Sequence, residues 1–269
     1  MSKLRVAIVF SGQPRCVDGV SYQGFRKCLL DKYDVDVYAH FWSDIERSKS
    51  VGTAADNIRT FKTLYNPKAI QVDPPLTAEE YPLSFIQPHS PIPLTHANIL
   101  DITSSNWSYW VRNCVSMYTS MARAYELCKN SGIKYDWIIR TRTDCALLRC
   151  PRLDLLDKQY MYAPNWHGDT NPVVVNHALI TPPDIAEKLF QIRQTLETLP
   201  GHMDEAFVYN HLKNCGLIDR VRMLPMAVFN PGITRDGNIH TVLTSHPSST
   251  IEVVDPRQPH GVIPFYMRR

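Results

Sequence analysis

The chain has 269 residues, 44% hydrophobic and 20% charged. That balance excludes a disordered or fibrous protein, and the length suits one large α/β domain or two small ones with a self-sufficient core. Its 29 Lys+Arg against 26 Asp+Glu leave +3, too small and too scattered to imply a nucleic-acid footprint. No apolar run nears the ~20 residues that span a bilayer, and Val6 to Phe10 is too short for a signal-peptide core, so a soluble cytoplasmic protein is expected.

The opening segment Arg5-Val6-Ala7-Ile8-Val9-Phe10 is apolar on both faces, which predicts a central, doubly covered strand. Ser11-Gly12-Gln13-Pro14-Arg15 follows as a turn, and a helix is expected from about Asp18 to Leu30. Asp34 to His40 alternates polar and apolar and reads as a second strand. Thr53 to Tyr65 reads as a helix and Ala69 to Val72 as a third strand. The β-α-β-α-β order favours a parallel sheet with right-handed crossovers. Residues 74–93 hold six prolines, which excludes regular helix and central strand there; a long irregular loop is expected, either a lid or a surface excursion.

Helical patterning resumes from Ser105 to Lys129, where Trp110, Cys114, Met117, Met121 and Ala124 form one stripe read as core packing. Asn130-Ser131-Gly132 stops it. The run Tyr135 to Asp144 begins as an apolar strand and turns abruptly polar at Arg140-Thr141-Arg142-Thr143-Asp144. Further strands are expected at Gln159 to Ala163, Val173 to Thr181 and Val221 to Phe229, the last in the chain. Helices are expected at Asp184 to Leu196 and His202 to Leu212, and no linker divides the chain. The seven cysteines are dispersed, without a CxxC pair, which argues for free thiols in a reducing compartment and against a zinc site or disulfide framework. The sequon at Asn106 reads as a chance triplet.

In open α/β sheets ligands bind beyond the carboxyl ends of the strands. Three places would converge there: the Ser11 to Arg15 turn, His40-Phe41-Trp42, and Arg140 to Asp144. Gly12 permits close backbone approach, Arg15 suits a diphosphate, and an aromatic such as Trp42 suits a base. The turn is equally what any tight turn after a strand looks like. Asp144 either holds a divalent cation or caps the next segment while the two arginines form surface ion pairs. Asp204 and Glu205 open a helix, either as ordinary N-terminal charge or with one of them as general base. The dispersed histidines read mostly as polar surface or satisfied interior groups; the alternative is that one from the tail, His240 or His246, completes a metal shell by folding back.

Several of these segments resemble one family. They are Val9-Phe10-Ser11-Gly12-Gln13-Pro14-Arg15, Tyr33 to Trp42, the helix with Ser116, Tyr118 and Ser120, and Tyr135 to Asp144. The series resembles the GT-A-type glycosyltransferases of large DNA viruses and bacterial surface-polysaccharide gene clusters, well over residues 5–145 and beyond only in the order of elements. The resemblance implies a single Rossmann-related GT-A-like domain over 1–269, a mixed, mainly parallel sheet flanked by helices. Residues 1–145 would bind the nucleotide sugar and 146–269 the acceptor.

Under the resemblance, Ser11, Gly12, Gln13, Arg15, His40, Trp42, Arg140 and Arg142 would line the donor pocket. Asp144 would be the retained metal ligand, with His246, for Mn²⁺ or Mg²⁺, and Asp204 or Glu205 the base of an inverting enzyme. Arg142 stands where the family's Asp-x-Asp motif has its first Asp, so one carboxylate is lost and a cation gained. The implied activity is transfer of a sugar from a nucleotide sugar to a hydroxyl of a glycan or glycoprotein, in the host cytoplasm if viral. The alternatives are a carbohydrate-binding protein without catalysis and, ranked lower, a sugar nucleotidyltransferase.

Overall fold

The computed structural model describes residues 3–43, 53–147, 150–165, 174, 176–201, 204–225, 229–230 and 253–254. It is an α/β fold with the expected mixed, mainly parallel sheet flanked by helices. Strand β1 (Arg5–Gly12) leads through helix α1 (Gly19–Phe25), continued by a π-helical turn at Arg26–Leu30, to β2 (Asp34–Trp42). Helix α2 (Ala54–Tyr65) follows, with the Thr53 hydroxyl accepting from the Asp56 amide at its N-terminus, then β3 (Ala69–Asp73).

The proline-rich stretch is more ordered than its composition predicts. It holds 3₁₀ turns at Ala78–Glu80 and Gln87–His89 around the single helical turn α3 (Leu83–Ile86). Pro82 stands at the N-cap and Pro88 in a first turn, where a missing N–H leaves nothing unsatisfied. Leu76, Tyr81, Phe85, Ile86 and Leu94 are all buried in the core. The Tyr81 hydroxyl lies 2.7 Å from Ser116 Oγ, so the stretch is clamped to the next helix rather than hung over an edge.

That helix, α4 (Trp107–Asn130), covers one face of β1 and β2. Its Cys114, Met121 and Ala124 are buried as the stripe predicts, but Trp110 is 49% exposed. The reason is length: 24 helical residues run ~36 Å, whereas the eight of β1 run ~26 Å, so the first turn overhangs the sheet. Asn106 caps the overhang by accepting from the Ser108 amide.

Strand β4 (Trp137–Thr141) is buried along its length and pairs with β1. Short strands β5 (Ala146–Leu147) and β6 (Cys150–Pro151) precede β7 (Met161–Asn165) and β8 (Ala178–Thr181). The helix expected from Asp184 to Leu196 is broken into α5 (Pro183–Leu189) and α6 (Ile192–Thr195) by a turn at Phe190 and Gln191. Helix α7 (Asp204–Asn214) and β9 (Val221–Pro225) follow. The expected last strand stops at Pro225; β10 (Phe229–Asn230) leaves to pair with β5, and β11 (Val253–Val254) pairs with β6.

The main sheet has the order β3-β2-β1-β4-β8-β7-β9. Every neighbouring pair is parallel except β4–β8 and β8–β7, so β8 alone is reversed. One core cluster lies beneath α4 to α7, around Tyr118, Ile185 and Phe207. The other lies beneath α1 and α2, around Phe10, Phe25, Phe61 and Trp137. Among the described residues no helix is long and apolar enough to cross a membrane. Cys16, Cys114, Cys128, Cys145 and Cys215 are outside any disulfide, but Cys28 is disulfide-bonded, against the expectation from spacing. Spacing along the chain does not disclose which thiols the fold brings together.

Candidate functional site

Because β1, β2, β3 and β4 are parallel, their carboxyl ends bring Ser11, Trp42, Asp73 and Thr141 to one edge. The Ser11 to Arg15 turn is fixed there mainly through its backbone. The Gly12 amide donates to Ser120 Oγ at 2.7 Å, and Asn57 Nδ2 donates to the Pro14 carbonyl at 2.9 Å. The Arg15 amide donates to Thr143 Oγ1 at 2.9 Å, and that hydroxyl lies 3.4 Å from the Gln13 carbonyl. Gly12 has φ +108°, a conformation that disfavours side chains, and nothing lies within 4 Å of where a Cβ would point. The turn thus presents open space on one side and an anchored amide on the other. Gln13 Oε1 accepts from Arg15 Nη2 at 2.6 Å.

The polar end of β4 divides into two environments. Arg140 is fully buried; its Nη1 donates to the Asn176 carbonyl, and its Nη2 lies 3.4 Å from Ser11 Oγ. It joins the first half of the chain to the segment before β8. Arg142 keeps 30% of its side chain exposed and grips Asp144 with a two-pronged fork, Nε to Oδ1 at 2.8 Å and Nη2 to Oδ2 at 2.5 Å. Burial pushes the Asp144 carboxyl upward, but Arg142 outweighs it, with Arg15 and His177 adding, and holds it below the usual carboxylate range. Thr143 is fixed from behind: Ser21 Oγ lies within hydrogen-bond reach of the Thr143 and Cys145 carbonyls.

His40 and Trp42 lie beside this group but are buried, His40 at 0% exposure and Trp42 at 5%. His40 Nδ1 meets Ser120 Oγ at 2.8 Å, and its Nε2 meets Asp73 Oδ2 at 3.0 Å. Trp42 lies edge-on to His40 and beneath the Arg123 guanidinium, 5.3 Å from the ring centre. Burial depresses the His40 pKa more than Asp73 restores it, so the imidazole is neutral. Burial pushes Asp73 upward, but its bond with His40, with Gln71 and Arg123 adding, leaves it below the usual range.

Helix α7 approaches through its backbone. The Val174 amide donates to the Glu205 carbonyl at 3.2 Å, two residues before Asn176 meets Arg140. Glu205 is buried and Asp204 begins the helix. His246, with His240, lies outside the described residues, as does Val173.

Ser11, Gly12, Gln13, Arg15, Arg140, Arg142 and Asp144 therefore gather at one place, with His40 and Trp42 behind them. Among the described residues no group of three or more His, Cys, Asp or Glu side chains is placed to hold a metal ion. Both Asp144 oxygens already accept from Arg142, so this donor set does not fit a divalent cation unless the fork opens. Asp73 and Arg123 escaped the sequence reading. Asp73 stands at the carboxyl end of the third strand, where the same edge rule would have found it. Ser120 entered only as part of a resembling helix. A cleft of about 400 Å³ lined by Tyr125, Cys128, Lys134 and Tyr135 lies at the opposite, amino end of β4, away from this chemistry.

No protein-family model matches the chain, and no curated protein matches it. Among solved structures it is similar to the glycosyltransferase GlyE of Streptococcus pneumoniae TIGR4, at 10% identity and a TM-score of 0.34, over 83% of this chain and 46% of that one. The chain thus spans less than half the length of that protein.

Proposed function

We propose that this edge binds the diphosphate of a nucleotide sugar and that the protein transfers the sugar to a hydroxyl of a glycan acceptor. The observation that carries the reading is the cationic setting of the Gly12 turn. Arg15 and Arg142 both act on Asp144, beside a glycine face with nothing within 4 Å. Guanidinium groups bind phosphate oxygens through paired, charge-assisted bonds, and Arg142 has exposed surface to offer. The family resemblance of residues 5–145 supports the same reading.

In the proposed reaction the acceptor oxygen bonds to the anomeric carbon as the bond from that carbon to the phosphate oxygen breaks. The nucleoside diphosphate leaves with the electron pair. The hydroxyl proton passes to Asp204 or Glu205 if configuration inverts, or to the departing phosphate oxygen if it is retained. Arg15 and Arg142 stabilise the charge that gathers on that phosphate. Asp144 holds Arg142 in orientation, and Thr143 and Ser120 hold the turn. A Mn²⁺ or Mg²⁺ ion at Asp144 would have to compete with Arg142, so the arginines carry the diphosphate in this proposal.

A thermal-shift screen of nucleoside diphosphates and nucleotide sugars, with Mn²⁺ or with excess EDTA, tests the reading. At least one diphosphate is expected to raise Tm in both buffers, and its sugar conjugate to be hydrolysed slowly. No stabilisation by any of them would sink it. A second reading, glycan binding without transfer, is favoured by Trp107 and Trp110, both about half exposed on the α4 overhang. Calorimetric glycan binding in a protein that ignores every nucleotide would select it.

A further inference from the structure

Two strands and a helix meet at one buried hydroxyl, and a third strand joins them through His40. Ser120 Oγ, on α4, lies 2.7 Å from the Gly12 amide at the end of β1, 2.8 Å from His40 Nδ1 on β2, and 3.2 Å from the His40 carbonyl. Behind His40, Asp73 at the end of β3 accepts at a single oxygen, Oδ2. Its donors are His40 Nε2 at 3.0 Å, Gln71 Nε2 at 2.8 Å and Arg123 Nη1 at 2.6 Å.

Chemistry sets the direction of each bond. A carboxylate oxygen in that position only accepts, so His40 Nε2 carries the hydrogen. The neutral ring then offers Nδ1 as a lone pair. Ser120 has one O–H, and the shorter of its two acceptors is Nδ1. Its own lone pairs remain for the Gly12 amide. The chain runs one way, from Gly12 N–H to Ser120 O–H to His40 to Asp73, and bonds aligned like this reinforce one another.

The consequence falls on the turn. A glycine peptide at φ +108° has many accessible alternatives, and a bond from outside the turn selects among them. We infer that Ser120 is a positioning residue: oriented by His40 and Asp73, it aims the Gly12 amide inward and sets the direction in which Gln13 and Arg15 leave β1. The effect on a bound anion rests on the donor site proposed above; the effect on the turn does not.

The test uses whole protein labelled with [¹⁵N]glycine, which has at most eleven backbone glycine signals. The one lost in Gly12→Ala is Gly12. In Ser120→Ala its exchange with solvent is expected to accelerate at least about tenfold, the loss of one buried bond, while the other glycine signals stay in place. Titration with inorganic pyrophosphate is expected to saturate at a several-fold higher concentration. Ser120→Thr, which keeps a hydroxyl, is expected to restore slow exchange, and His40→Leu to give an intermediate rate.

A folded Ser120→Ala protein with unchanged Gly12 exchange overturns the inference. Should that variant fail to fold, His40→Leu decides, and an unchanged rate there overturns it equally. If pyrophosphate moves no signal in the wild type, the donor-site reading falls, and the Gly12 exchange comparison still judges the positioning role.

Discussion

At the scale of single residues, the pairing of Arg142 with Asp144 decides how charge is handled. A guanidinium forked onto a carboxylate is held in one orientation, and bonds from a charged donor exceed neutral ones by roughly twofold. Arg142→Ala is therefore expected to weaken nucleoside diphosphate binding by about 10- to 100-fold, corresponding to about 1.5–3 kcal/mol for a charged hydrogen bond. Asp144→Asn, which leaves Arg142 a neutral partner, is expected to cost less. Calorimetry on the two variants checks the order. If excess EDTA abolishes binding by the wild type and Mn²⁺ restores it, Asp144 serves a cation and the assignment to Arg142 is wrong. At this scale the sequence disclosed which residues come together at the strand ends, as with Arg15, Arg142 and Asp144. It did not disclose that His40 and Trp42 are buried, because alternation along a strand does not say which polar side chain a neighbouring helix will claim. Ser120 was hidden for the same reason: its partners are 108 and 80 residues away.

Among elements, α1 and β5 fit closely at a glycine. Gly24 is buried in α1, and a Cβ there would meet the Leu147 carbonyl oxygen at 2.6 Å. Alanine gains about 1 kcal/mol over glycine in a helix, but a backbone carbonyl cannot swing aside like a side chain, and overpacking costs about 1–3 kcal/mol. Gly24→Ala is expected to lower Tm, and a rise would show that β5 yields. The same scale explains what patterning missed in the proline-rich stretch. Counting prolines rules out long helices, yet single turns that begin on Pro82 or contain Pro88 survive, and buried Tyr81, Phe85 and Ile86 then pin the segment to α4. The Trp110 side chain escapes the core for a reason no helical wheel contains, namely the length of the sheet beneath it.

For the whole molecule, acid sensitivity follows from groups distributed over the fold. Asp36, Asp73, Asp136 and Asp144 are each pushed up by burial, yet hydrogen bonds and neighbouring cations bring each below the usual carboxylate range. Their folded pKa values are depressed, so the unfolded chain takes up protons first. The stability they contribute is full above about pH 4 and is lost as pH falls through the folded values. His40 and His211 are depressed chiefly by burial, so the unfolded chain also gains protons there first, beginning near pH 6.5. Urea midpoints are expected to slip modestly between pH 7.5 and 5.5 and to drop steeply below about pH 4. A midpoint identical at pH 7.5 and 5.5 would mean that neither histidine is kept neutral. The overall architecture was the most legible feature, because β-α-β-α-β order and an all-apolar first strand leave few topologies. The reversal of β8 was not, since a short run such as Ala178-Leu179-Ile180-Thr181 reads the same in either direction.

That reversal has a practical meaning for redesign. Ala178 pairs with Thr141 and Thr181 with Ile138, so β8 begins at the rim that holds the candidate site and ends at the far one. Of the two connections flanking it, the incoming one, through Asn176 and His177, is the one that arrives beside Thr141, so under the proposed transfer reaction it is the connection expected to influence which acceptor enters. If the proposed transfer is correct, libraries that lengthen or randomise the outgoing connection at Pro182 are expected to alter folding while leaving acceptor preference unchanged.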